Sequence, residues 1–157
     1  MRHGIKMIGL VAMLAGSACG GDGGNNVGKF VGTWRATAGT YTTTCPGYVP
    51  DTEALSGGAT WSPGVSSDLV GATAIVDCPM MADVTGATAS GLPGQPCTGS
   101  DSSGETYTLT VSGYTFVLSP DGRTATENCS AQLAIVGGGA SVVCSITETG
   151  SYQKISN

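Results

Sequence analysis

Residues with chemical capacity are few in this chain. Six cysteines stand at Cys19, Cys45, Cys78, Cys97, Cys129 and Cys144. Six could form three disulfides in an oxidising compartment. None has a Cys-x-x-Cys spacing, which removes dithiol redox catalysis. The only histidine is His3, inside the N-terminal leader described below. Ser-His-Asp and Cys-His nucleophiles therefore lack their base. Zinc and haem sites lack their imidazole. Two carboxylate pairs remain. Asp51 and Glu53 share a segment, but no motif builds a cleft around them. Asp101 and Glu105 bracket the oxygen-rich "SDSSGE", which lacks the alternating carboxylates of a calcium loop. No nucleophile elbow, phosphate loop or dinucleotide fingerprint occurs. The expectation is no catalytic residue, no metal and no cofactor: the protein is not an enzyme.

Cys19 has a different context from the other five. Arg2 and Lys6 precede an apolar run, Ile8 to Ala18. As a helix this run spans about 16 Å at ~1.5 Å per residue, too short to cross a bilayer. Residues 1–18 read as a signal peptide. In "LAGSAC" the cysteine directly follows the apolar core. This resembles the lipobox of bacterial lipoproteins, although Gly16 stands where that pattern has leucine. The resemblance implies cleavage before Cys19, two acyl chains on its thiol and attachment to a membrane through the N-terminal lipid. Two chains exceed the marginal hold of one, at about 0.8 kcal/mol per buried CH₂. "GGDGGNN" follows, with nothing apolar to pack, so residues 19–28 read as lipidated cysteine and flexible tether. The expected location is the cell envelope, lipid-anchored at the outer membrane or periplasmic face, with secretion as the alternative.

From Cys19 on, removing Arg2 and Lys6 leaves four basic residues against eleven acidic ones, a net charge of −7. No basic patch can neutralise phosphates, so no nucleic acid is expected as partner. Electrostatic docking to anionic lipid is equally unsupported.

Residues 29–157 must supply the folded domain. No 3.6-residue periodicity is sustained there. Short runs rich in Thr, Val, Ala and Tyr alternate with Gly, Pro and Asp, which is a strand-and-turn pattern. Eight strands are predicted, over about 30–44, 55–61, 68–78, 80–90, 105–111, 114–119, 123–135 and 141–153. Period-two patterning places Tyr107, Leu109 and Val111 on one face. It does the same for Tyr114, Phe116 and Leu118, and for Cys129, Ala131, Leu133 and Ile135. Turns are predicted at Thr85-Gly86, Ser112-Gly113, Pro120-Asp121-Gly122 and Gly137-Gly138-Gly139. Ser90 to Gly104 and Cys45 to Gly58 read as the two long loops. The fold class is all-β: a single antiparallel meander of about eight strands forming a closed or flattened barrel, with a β-sandwich as the alternative.

"FVGTW" places a Gly-x-Trp on the first strand. It resembles the opening strand of lipocalin-like and avidin-like barrels, where the tryptophan closes the floor. That resemblance implies an interior lined by Trp34, Tyr107, Tyr114 and Phe116 and able to take a small apolar ligand. "GATASGLPGQPCT", Gly86 to Thr98, is similar to segments of uncharacterised Thr- and Gly-rich envelope lipoproteins.

Large side chains are scarce, so disulfides are expected to supplement burial. Locality favours Cys129 with Cys144 across the glycine turn, and Cys78 with Cys97 around the Thr85-Gly86 hairpin. Each closes roughly 15–20 residues, worth about 3 kcal/mol. With Cys19 lipidated, Cys45 is left over. The function expected is a membrane-anchored envelope lipoprotein with a structural or protein-interaction role. Lipocalin-like ligand binding and enzyme inhibition through the Ser90–Gly104 loop are the alternatives.

Overall fold

The computed structural model describes residues 26–72, 79–100, 105–137 and 139–157. A single helical turn, α1 (Val27–Phe30), precedes β1 (Gly32–Thr44), β2 (Asp51–Ala54), β3 (Gly58–Pro63), β4 (Leu69–Ala72) and β5 (Met80–Thr85). β6 (Thr88–Gly91), β7 (Gln95–Ser100), β8 (Thr106–Leu118), β9 (Thr124–Gly137) and β10 (Ala140–Ser156) complete the chain. All pairings are antiparallel, as the period-two patterning implied. The order β10-β9-β8-β6-β5-β4-β3-β1 returns to β10, so eight strands form a ring.

The ring occupies only one half of the molecule. β3 pairs with Gly32–Arg35 of β1, and β2 takes the same edge over Thr40–Thr43. β6 pairs through Thr88–Ser90 with Thr115–Val117 of β8, and β7 takes that edge over Thr106–Val111. The lower half is thus an eight-strand ring. The upper half is an open sheet, β2-β1-β10-β9-β8-β7. The chain enters at the ring's closed end through α1, where Asn26 donates to the Gly86 carbonyl at 2.9 Å.

Each handover between edges falls at an irregularity. β1 shifts register between Ala36 and Ala38, and β8 between Val111 and Gly113. The second corrects a turn expected from the sequence. Ser112-Gly113 is a bulge within one long strand rather than a hairpin between two. The extra residue switches the alternation, so Leu109 and Val111 above it and Tyr114, Phe116 and Leu118 below it are all buried.

Three other expectations change. The span 80–90 is the β5–β6 hairpin, turning at Gly86 with φ +61°. The two expected loops each carry an edge strand, β2 in one and β7 in the other. Of the expected strand 68–78, Leu69–Ala72 is β4 and residues 73–78 lie outside the described residues. The Pro120-Asp121-Gly122 turn forms between β8 and β9. The Gly122 amide donates to Ser119 at 2.9 Å, and Asp121 accepts from the Ser119 hydroxyl and the Arg123 amide. Those bonds hold the exposed Asp121 carboxyl below its usual range, the Ser119 hydroxyl first.

Aromatic side chains fill the ring. Phe116 is fully buried, with Trp34 at 5.2 Å between centroids, Tyr152 at 5.4 Å, Trp61 at 6.2 Å and Phe30 at 6.5 Å. Such contacts add roughly 0.5–1.5 kcal/mol each to the burial of the rings. Trp34 donates its indole N–H to the Phe30 carbonyl at 2.8 Å, which fastens α1 across the closed end. At the other end of the ring Leu55 lies over a cross-strand glycine pair, Gly39 and Gly150. A Cβ on Gly150 would stand 2.6 Å from the Leu55 side chain.

Candidate functional site

The cysteines divide differently from the local pairing expected. Cys45 is bonded to Cys144, with Cα atoms 4.2 Å apart and 99 residues between them in sequence. The β1–β10 register explains this. Thr44 faces Ser145, so one further step sets Cys45 opposite Cys144. The expected Cys129–Cys144 bridge does not form because the glycine turn pairs Gly137 with Ala140. That register sets Cys144 opposite Leu133 and Cys129 opposite Glu148. Cys129 is a buried free thiol, and burial pushes its pKa up to about 12. Among the described residues the free cysteine is therefore Cys129, and Cys45 is bonded. Cys97 is disulfide-bonded, and its expected partner Cys78 lies outside the described residues, as does the lipid-attachment candidate Cys19.

Of the four expected lining residues, Trp34, Tyr114 and Phe116 come together in the ring and contact other aromatic rings. Tyr107 stands apart on the open half, where its ring covers Gly99 of β7. Asp51 and Glu53 lie on the edge strand β2, outside any cleft. Glu53 accepts a hydrogen bond from Tyr41, which pushes the Tyr41 pKa up to about 12. Asp101 lies outside the described residues. The "PGQPC" element has a structural task. The Gln95 side chain accepts from the Met81 amide at 2.6 Å and donates to the Met81 carbonyl at 2.9 Å. It thus pairs with β5 as a strand backbone would.

Two carboxyls missed in the sequence lie inside the ring. Glu127 of β9 and Glu148 of β10 are each 1% exposed. Glu127 faces Gly150 and Glu148 faces Cys129, so the two are diagonal neighbours on one face of adjacent strands. Tyr152 donates to Glu148 at 3.2 Å. Both Glu127 oxygens, the other Glu148 oxygen, the Tyr114 hydroxyl and the Trp61 indole N–H have no hydrogen-bond partner. Burial, then the adjoining Glu127 charge, pushes the Glu148 pKa up to about 9. Burial likewise raises Tyr114, again with Glu127 as the next cause. The signal was present in the alternation: Glu127 and Glu148 occupy the same inward positions as Cys129 and Ile146. Full enclosure denies a substrate access to this pair.

The far end of the open sheet carries exposed apolar groups. Tyr48 and Val49 are 75% and 89% exposed in the turn after Cys45, and Val136 and Val143 are half exposed beside it. A shallow groove by the disulfide is lined by Thr44, Pro46, Gln132, Val143 and Ser145. Of the exposed acids, Asp51, Glu53 and Glu105 belong to this half, and Asp83 and Asp121 to the closed half. Lys29, Arg35, Arg123 and Lys154, the basic residues of the described chain, all belong to the closed half.

Comparison with protein-family models, with curated proteins and with solved structures gives no match. No helix among the described residues is long and apolar enough to cross a membrane.

Proposed function

We propose that this chain is a lipid-anchored envelope protein with a protein-interaction role, held at Cys19 and presenting the far end of its open sheet to a protein partner. One observation carries this reading: the polarity of the fold. The segment from Cys19 joins at the closed end through α1. The exposed Tyr48 and Val49 stand at the opposite end, fixed by the Cys45–Cys144 bond. The twelve-residue rise of β10 from Cys144 to Ser156 separates the two ends by about 40 Å at ~3.3 Å each. A tethered domain with this polarity carries its apolar tip away from the bilayer. Asp51 and Glu53 beside the tip suit a partner with a basic surface, whose association salt would weaken. The packing of Trp34 against Phe116, and of Tyr114 and Phe116 against Trp61, favours this reading over an internal ligand, since these rings already take other rings as neighbours.

The test places a photo-crosslinking amino acid at Tyr48, or at Val65 in the β3–β4 turn of the closed end, in cells producing the full chain. The expected result is one discrete protein adduct from position 48, weakened by salt and absent from position 65. Substitution Cys19→Ser moves the protein out of the membrane fraction. An adduct from position 65 alone, or membrane retention of the Cys19→Ser chain, would refute the reading.

A further inference from the structure

We propose that Glu127 and Glu148 form a proton-holding lock: the closed ring keeps one of the two carboxyls protonated, and losing that proton opens the β9–β10 wall and exposes the Cys129 thiol. The geometry carries this. Two carboxyls from adjacent strands share the interior, each 1% exposed. Four hydrogen-bonding atoms around them, including both Glu127 oxygens and the Tyr114 hydroxyl, lack partners. Two like charges there would lack both solvation and a counter-ion, so one carboxyl stays neutral.

The groups facing the pair supply no positive charge. β8 contributes Tyr114, β9 Cys129 and β10 Tyr152; burial raises all three, so they stay neutral. Tyr41 of β1 is opposite Glu148 in register, but its hydroxyl is committed to Glu53. Trp61 of β3 packs against Tyr114, and its indole does not titrate. Lys154 lies toward the closed end, its ammonium on the Lys29 carbonyl at 2.9 Å and 5.4 Å from the Trp34 ring centre. The proton that leaves passes to solvent base, and no electron moves.

The sign follows from linkage. Glu148 holds its proton to about pH 9 in the closed ring, against 4.5 as an ordinary glutamate. Between those values the open state binds fewer protons, so opening grows up to tenfold per pH unit and levels off above 9.

The experiment alkylates the full chain in detergent at pH 6, 7, 8 and 9 and quantifies Cys129 by peptide mapping. The same series on Glu127→Gln/Glu148→Gln cancels the intrinsic rise in thiolate. The wild-type to variant rate ratio is expected to climb by up to about 1,000-fold from pH 6 to 9. Near-UV circular dichroism at pH 6 checks that the double variant keeps its aromatic packing. If it does not, Glu148→Gln alone is the reference. A ratio flat across this range, or full Cys129 labelling of wild type at pH 6, overturns the proposal.

Discussion

Replacing Cys45 and Cys144 together by alanine tests the register that closes the ring. The bond spans 99 residues of sequence, so its loss frees most of the unfolded chain. The loop-closure relation gives about 4.7 kcal/mol at 25 °C for a loop near 100 residues. If the Cys97 bridge shortens the effective loop by about a fifth, the logarithm changes this by only about 0.2 kcal/mol. A typical domain has about 5–15 kcal/mol in total, so the loss would be a third or more of it. Urea unfolding under non-reducing conditions, followed by Trp34 and Trp61 fluorescence, measures it directly. With a slope of about 2 kcal/mol/M the midpoint falls by roughly 2 M. A loss under about 1 kcal/mol would refute the entropic reasoning. A wild-type peptide map joining Cys129 to Cys144 would refute the register itself.

Phe116→Ala removes the ring that meets four other aromatic side chains, and is expected to cost about 3–5 kcal/mol in the same urea assay. Deleting Ser112 removes the β8 bulge and turns Leu109 and Val111 outward relative to Tyr114 and Phe116; loss of the cooperative near-UV melt is expected. Glu148→Gln flattens stability against pH: wild type loses up to about 1.4 kcal/mol per pH unit relative to the variant between 4.5 and 9, and parallels it above 9, by denaturant titration.

Strand-forming segments were legible because Thr, Val and Tyr alternate with small or polar residues at period two. That pattern gave an all-β antiparallel meander, which the ring bears out, and it placed Phe116 and Tyr114 on a buried face. What it could not show was continuity across Ser112-Gly113. A two-residue hairpin and a bulge both interrupt the alternation with small residues, and only the neighbouring strands tell them apart. The edge strands β2 and β7 were hidden in glycine- and proline-rich segments whose pairing comes from partners distant in sequence. Gln95 illustrates this, since its side chain pairs with Met81 backbone. Cys45–Cys144 was illegible for the same reason: locality favoured the short loop, and strand register decided for the long one. Glu127 and Glu148 sat in plain view at inward positions. Carboxylates read as solvent-facing unless a burial pattern is extended through them, as the alternation from Cys129 and Ile146 allows.

Intact-mass and peptide-level spectrometry of the membrane-derived protein under non-reducing conditions tests the anchored-domain account most directly. The account expects a chain that begins at a diacylated Cys19, with Cys45 joined to Cys144, Cys97 bridged and Cys129 its single free thiol. An unacylated Cys19, or Cys19 found in a disulfide, would contradict it.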